Sequence, residues 1–114
     1  MVLRLAEQYL IRAEARVNQE KLEEGLIDLN KVRSRSNASL IQSNDTESAL
    51  EAIQNERRLE LFNEWGHRWL DLKRTDTAIE TLSFKPGWQT TDLFYPIPEQ
   101  ELLRNPNMTP NDGY

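Results

Sequence analysis

Residues Glu56–Thr75 read ERRLELFNEWGHRWLDLKRT. Nine of these twenty residues are charged, yet Leu59, Leu61, Phe62, Trp65, Trp69, Leu70 and Leu72 are among the most apolar in the chain. On a helical wheel of about 100° per residue, Arg57, Glu60, Glu64, Arg68 and Asp71 fall within a sector of roughly 80°. Leu50 and Ile53 enter that sector one and two turns earlier, and Leu61, Trp65 and Leu72 flank it. The charged stripe therefore continues a core face. Buried charges are costly unless paired, and the spacing offers Arg57 to Glu60 and Glu64 to Arg68 along one helix. The stripe reads as a structural network of semi-buried ion pairs that docks a long third helix over 46–75.

Upstream, Leu3, Ala6, Leu10, Ala13 and Val17 recur at steps of three and four, which predicts an amphipathic helix from Val2 to Asn18. After the polar turn NQEK, Leu22, Leu26, Leu29 and Val32 restore that period to about Ser36. Residues 1–37 thus form a helical hairpin. Its alanines at 6, 13 and 15 and Gly25 permit close approach, and Leu5, Ala6, Tyr9 and Gly25 give it the look of one tetratricopeptide unit. The Ser- and Asn-rich stretch 37–45 is a loop. Ser48 and Glu51 have capping-box spacing, with Asp45 or Thr46 as rival caps. Residues 76–114 read as an irregular tail with short helices: one near Thr77 to Leu82, a turn at KPGW, and a helical start at Pro98-Glu99. The fold class is mainly α.

At 114 residues the chain is one domain's worth, able to bury roughly two thirds of its unfolded surface. A net charge of −5 without a basic block argues against nucleic acid as a partner. With no cysteine there is no disulfide and no thiolate chemistry. The arginines and glutamates of the first seventeen residues interrupt any apolar run, so they read as neither a secretory signal nor a membrane span. Glu64-Trp65-Gly66-His67 has the E-x-x-H spacing of di-iron bundles, but those need a second such motif and His67 is the only histidine. Glu60 and Glu64 lie side by side on one helix rather than across a cleft, which suits no glycoside hydrolase. No catalytic residue, metal site or cofactor is expected.

Three stretches together, the hairpin end LNKVRSRS, the helix NERRLELFNEWGHRWLDLKRT and the tail LFYPIPEQELLRNPNMTPNDGY, resemble the C-terminal part of the SusD/RagB family. The resemblance implies a mostly helical, non-enzymatic glycan-binding lipoprotein at the bacterial outer membrane, seated over a TonB-dependent transporter. It also implies that this chain is mainly the scaffold half of a larger protein whose N-terminal half is missing here. Oligosaccharide would then be the ligand, held by aromatic faces. Trp88 and Tyr95 are the loop-placed candidates, whereas Trp65 and Trp69 are assigned to the helix core. Packing beside a Pro-Gly turn is the plainer reading of Trp88. The alternative function is a helical-repeat module that binds a protein partner.

Overall fold

The computed structural model describes residues 4–114, so Val2 and Leu3 of the expected first helix lie outside the described residues. The elements are α1 (Leu5–Asn18), α2 (Leu22–Arg35), α3 (Thr46–Glu60), α4 (His67–Arg74), α5 (Ala78–Leu82), a 3-10 turn (Thr90–Leu93) and α6 (Glu99–Arg104). Among the described residues there is no strand. The chain divides after Arg68 into two compact units.

In the first unit α1, α2 and α3 pack on one another around Ala6, Leu10, Ala13, Val17, Leu29, Val32, Ala49 and Ile53. All but Ala49 are positions the helical period selects, while Leu22, Leu26 and Leu50, which it also selects, are only partly buried. Gly25 shows why α1 and α2 sit so close: a Cβ there would lie 2.5 Å from Val17 Cγ2 and 2.9 Å from the Ala13 carbonyl oxygen. Glu20 ends α1 in the left-handed region at φ 64°, which lets its amide reach Val17 O and that of Lys21 reach Arg16 O. Asn37 ends α2 the same way at φ 57°.

The loop after α2 is pinned by a reciprocal pair, Asn30 Nδ2 to Ile41 O at 2.9 Å and Ile41 N to Asn30 Oδ1 at 2.8 Å. Asp45, one of the rival caps, begins α3. Its carboxylate accepts from the Ser48 amide at 2.8 Å and from the Ser48 hydroxyl.

The single helix expected over 46–75 is two helices. α3 stops at Glu60, residues 61–66 turn, and α4 begins at His67. Asn63, Trp65 and Gly66 take φ of 59°, 44° and 72°, a hand that no right-handed helix accommodates. Two consequences follow for the side chains. Leu61 stays buried, but Trp65 is 67% exposed and Phe62 77%, so Trp65 is not a core residue.

The second unit holds the greater part of α4, then α5, the 3-10 turn and α6. α4 closes with Asp76 at φ 58°, its amide on Lys73 O and that of Thr77 on Leu72 O. Leu72 and Ala78 are the buried apolar residues here. KPGW forms the expected turn: Trp88 N donates to Lys85 O at 3.2 Å with Gly87 at φ 82°, the backbone that Pro-Gly favours. The tail is tied back by Asn111 Nδ2 to Tyr95 O at 2.7 Å and Tyr114 Oη to Phe94 O at 3.0 Å.

Candidate functional site

Several charged residues of the first unit join its helices. Arg4, at the N-terminal edge of α1, donates through Nη1 to the Glu60 main-chain carbonyl at 2.7 Å and to Glu64 Oε1 at 2.6 Å, and its Nη2 meets Glu60 Oε1. Arg35 Nη2 reaches the same Glu60 oxygen at 2.5 Å. Glu60, its side chain only 10% exposed, is therefore the hub of three helices. Of the expected stripe, Arg57 is buried, Glu60 and Glu64 are brought together by Arg4, and Arg68 is on the exposed side. Asp71 belongs to the second unit, where it lies 3.2 Å from Arg74 Nη2.

Two further acids, Glu56 and Asp28, form ion pairs that escaped the sequence reading. Arg33 Nη1 meets Glu56 Oε2 at 2.5 Å between α2 and α3. Asp28, 2% exposed, accepts from Arg12 Nε at 2.8 Å, Arg12 Nη2 at 2.7 Å and Arg16 Nη1 at 2.7 Å. The Arg12 hydrogen bonds hold the Asp28 carboxyl below the usual carboxylate range despite its burial, with Arg16 adding to the effect. The same contact raises Arg12 above its ordinary value. A signal existed. Asp28 sits three residues after Gly25 and Glu56 three after Ile53, both on the core stripe, where an acid must have a partner.

The second unit carries a different chemistry. Trp69 and Lys73, one turn apart, share a face of α4. Trp69 Nε1 donates to Tyr95 Oη at 2.7 Å, and the Trp69 and Trp88 rings meet edge to face with centroids 6.2 Å apart and planes at 77°. Lys73 Nζ lies 5.4 Å from the Trp69 ring centre and 5.1 Å from that of Tyr95, and donates to Leu93 O at 2.7 Å. The two candidates, Trp88 and Tyr95, are thus gathered by Trp69, which the helical period had assigned to the core. Trp69 and Trp88 are half-buried, whereas Tyr95 is 64% exposed. Trp69 thus touches both Trp88 and Tyr95, and Lys73 lies over the Trp69 and Tyr95 rings.

Among the described residues the segment is all-helical, its buried carboxylates Asp28 and Glu56 are engaged by arginine, and three aromatic rings are gathered in its second unit. Residues 1–114 match the sequence profile of the SusD family, and the chain belongs to that family. A SusD-like protein of Formosa agariphila is 30% identical over 123 residues, an alignment that takes in 100% of this chain and 24% of the relative. Among solved structures, a SusD-like protein from Bacteroides fragilis NCTC 9343 superposes with a TM-score of 0.83 at 27% identity, covering 99% of this chain and 25% of that one. A SusD superfamily protein from Parabacteroides distasonis ATCC 8503 gives 0.82 at 28% identity, covering 99% and 27%. The chain spans about a quarter of the length of these relatives.

Proposed function

We propose that this chain is a scaffold portion of a non-enzymatic carbohydrate-binding subunit of an outer-membrane uptake system, and that its platform of Trp88 and Tyr95, braced by Trp69, offers stacking faces to an oligosaccharide. The observation that carries the proposal is the contact of Trp69 with both Trp88 and Tyr95 in a chain of the SusD family. An aromatic face suits the apolar C–H face of a pyranose, while Lys73 and main-chain groups at the rim suit its hydroxyls. The pairing of Glu60 and Glu64 with arginines supports a binding role over catalysis, since neither is placed to transfer a proton. By the same family reading the complete protein sits at the cell surface and delivers its ligand to a TonB-dependent transporter. Among the described residues no helix is long and apolar enough to cross a membrane.

Calorimetric titration with starch, mucin and plant-wall oligosaccharides tests the proposal. One or two stacking faces overcome little of the cost of association, so the 114-residue chain should bind at about 1 mM, roughly −4 kcal/mol, and lose that binding in Trp88→Ala and Tyr95→Ala. Turnover of any of these oligosaccharides, or binding indifferent to both substitutions, would refute it.

A further inference from the structure

Around the three rings of the second unit, hydrogen-bond donors outnumber acceptors. Tyr95 Oη accepts the Trp69 indole N–H, which leaves its own hydroxyl hydrogen for another acceptor. Lys73 Nζ donates to Leu93 O at 2.7 Å, one bond of the three that an ammonium can make. The Trp88 indole N–H is buried and has no acceptor among the described residues. What the cluster lacks is an acceptor, and its one cation asks for an anionic one.

Lys73 is unmatched in charge as well. Its Nζ lies 5.4 Å and 5.1 Å from the Trp69 and Tyr95 ring centres, where the π faces attract the ammonium without neutralising it. The acids flanking the cluster in sequence are engaged elsewhere, Asp71 by Arg74 Nη2 at 3.2 Å and Asp92 by the Gln89 amide at 2.9 Å. Lys73 makes no ion pair among the described residues. Lys73 and Tyr95 are both exposed, so a solute stacked on Tyr95 has the ammonium within reach. The chain's charge of −5 opposes an anion at long range, but at physiological ionic strength charges beyond about 8 Å are largely screened and the local cation prevails.

We infer that this cluster selects acidic sugars, with Lys73 as the residue that reads the carboxylate or sulfate of a unit stacked on Tyr95. The inference rests on the sugar-binding reading above and adds a substrate class to it. An anionic oxygen would take the Nζ hydrogens that Leu93 O leaves unused, and a bond between two charged groups is stronger than one to a neutral hydroxyl. Because the ammonium is already held against two rings, little of its freedom remains to be lost on binding.

Two matched pairs of ligands test this. An oligogalacturonate and its methyl ester share rings, linkage and length and differ in charge, and a sulfated galactan oligosaccharide with its desulfated form separates sulfate from carboxylate. Each is titrated into the isotope-labelled 114-residue chain at low salt and followed by NMR on the Trp69 and Trp88 indole N–H resonances. At least one acidic member should bind about three- to fivefold more tightly than its neutral counterpart, a preference that should vanish at about 1 M salt. Lys73→Met should bring the pair to equal affinity and Lys73→Arg should keep the preference, with circular dichroism showing both variants folded. Lys85→Met, at the other lysine of the second unit, should leave the preference in place. Equal affinity within both pairs of the wild-type chain would overturn the inference, and the sugar-binding reading would still stand if Trp88→Ala abolished the shared binding. A preference that survives Lys73→Met, or that disappears in Lys85→Met, would overturn it as well. Binding of no member of either pair would remove the reading and the inference together.

Discussion

Arg4 grips Glu60 twice, through the carboxylate and through the main-chain carbonyl that ends α3. The last carbonyls of a helix have no partner within it and carry the negative end of its dipole, so a guanidinium there satisfies an acceptor and a charge together. Arg35 approaches the same carboxylate from α2. Removing the Glu60 carboxylate would take from Arg35 its ion pair and leave Arg4, three-quarters buried, with only Glu64 and the residue-60 carbonyl. Glu60→Ala is expected to destabilise by about 2–4 kcal/mol, and the more exposed Glu64→Ala by about 1 kcal/mol, in urea denaturation. Equal midpoints for the two variants would show that Glu60 is not the hub.

Asp28 gives the fold an acid-sensitive point. Its pKa is lowered in the folded state by Arg12 and Arg16, so its stabilisation is complete above the unfolded value, near 4, and is lost as pH falls through the folded one. The wild-type urea midpoint should fall below about pH 4, and Asp28→Asn should have a lower midpoint at pH 7 with a shallower decline toward acid. Parallel curves for the two proteins would remove Asp28 from the account.

Gly25→Ala sets two effects of opposite sign against each other. In an exposed helix the change gains about 1 kcal/mol from propensity. Here the new methyl would fall 2.9 Å from a main-chain carbonyl as well as 2.5 Å from Val17, and the carbonyl cannot rotate away. Overpacking should prevail, with a net loss of about 1–2 kcal/mol in thermal denaturation.

Glu20→Gly should run the other way. Glu20 holds φ 64° in the turn between α1 and α2, is exposed, and has a Cβ that this conformation penalises. Glycine should gain about 0.5–1 kcal/mol, while alanine, with the same Cβ, should leave stability near wild type.

The hairpin and its core were legible because a helix writes its buried face into local spacing, and Leu10, Ala13, Val17, Leu29 and Ile53 repeat faithfully. The break between α3 and α4 was not. Leu61, Phe62 and Trp65 continue the apolar period across it, and only Asn63 and Gly66 hint at a left-handed turn. Arg4, which meets Glu60 at the end of α3, lies 56 residues away in sequence, beyond the reach of any periodicity. The same holds for the aromatic platform. KPGW announced the turn that carries Trp88, but its meeting with Trp69 is a tertiary event.

That meeting can be separated from the stacking surface it creates. Tyr95→Phe keeps the ring and its face but removes the hydroxyl that accepts the Trp69 indole N–H at 2.7 Å. A half-buried donor then loses a partner that solvent replaces only in part, so stability should fall by about 0.5–1.5 kcal/mol and Trp69 fluorescence should shift. Lys73→Met removes the ammonium held over both rings and its bond to Leu93 O, with a similar cost of about 1 kcal/mol. Sugar affinity should respond differently to the two. With the apolar face intact, Tyr95→Phe should retain whatever oligosaccharide binding the chain shows, within about twofold, whereas Tyr95→Ala should abolish it. Paired calorimetric and denaturation measurements on these variants decide the point: loss of binding in Tyr95→Phe without loss of fold would mean that the hydroxyl, not the ring face, contacts the ligand.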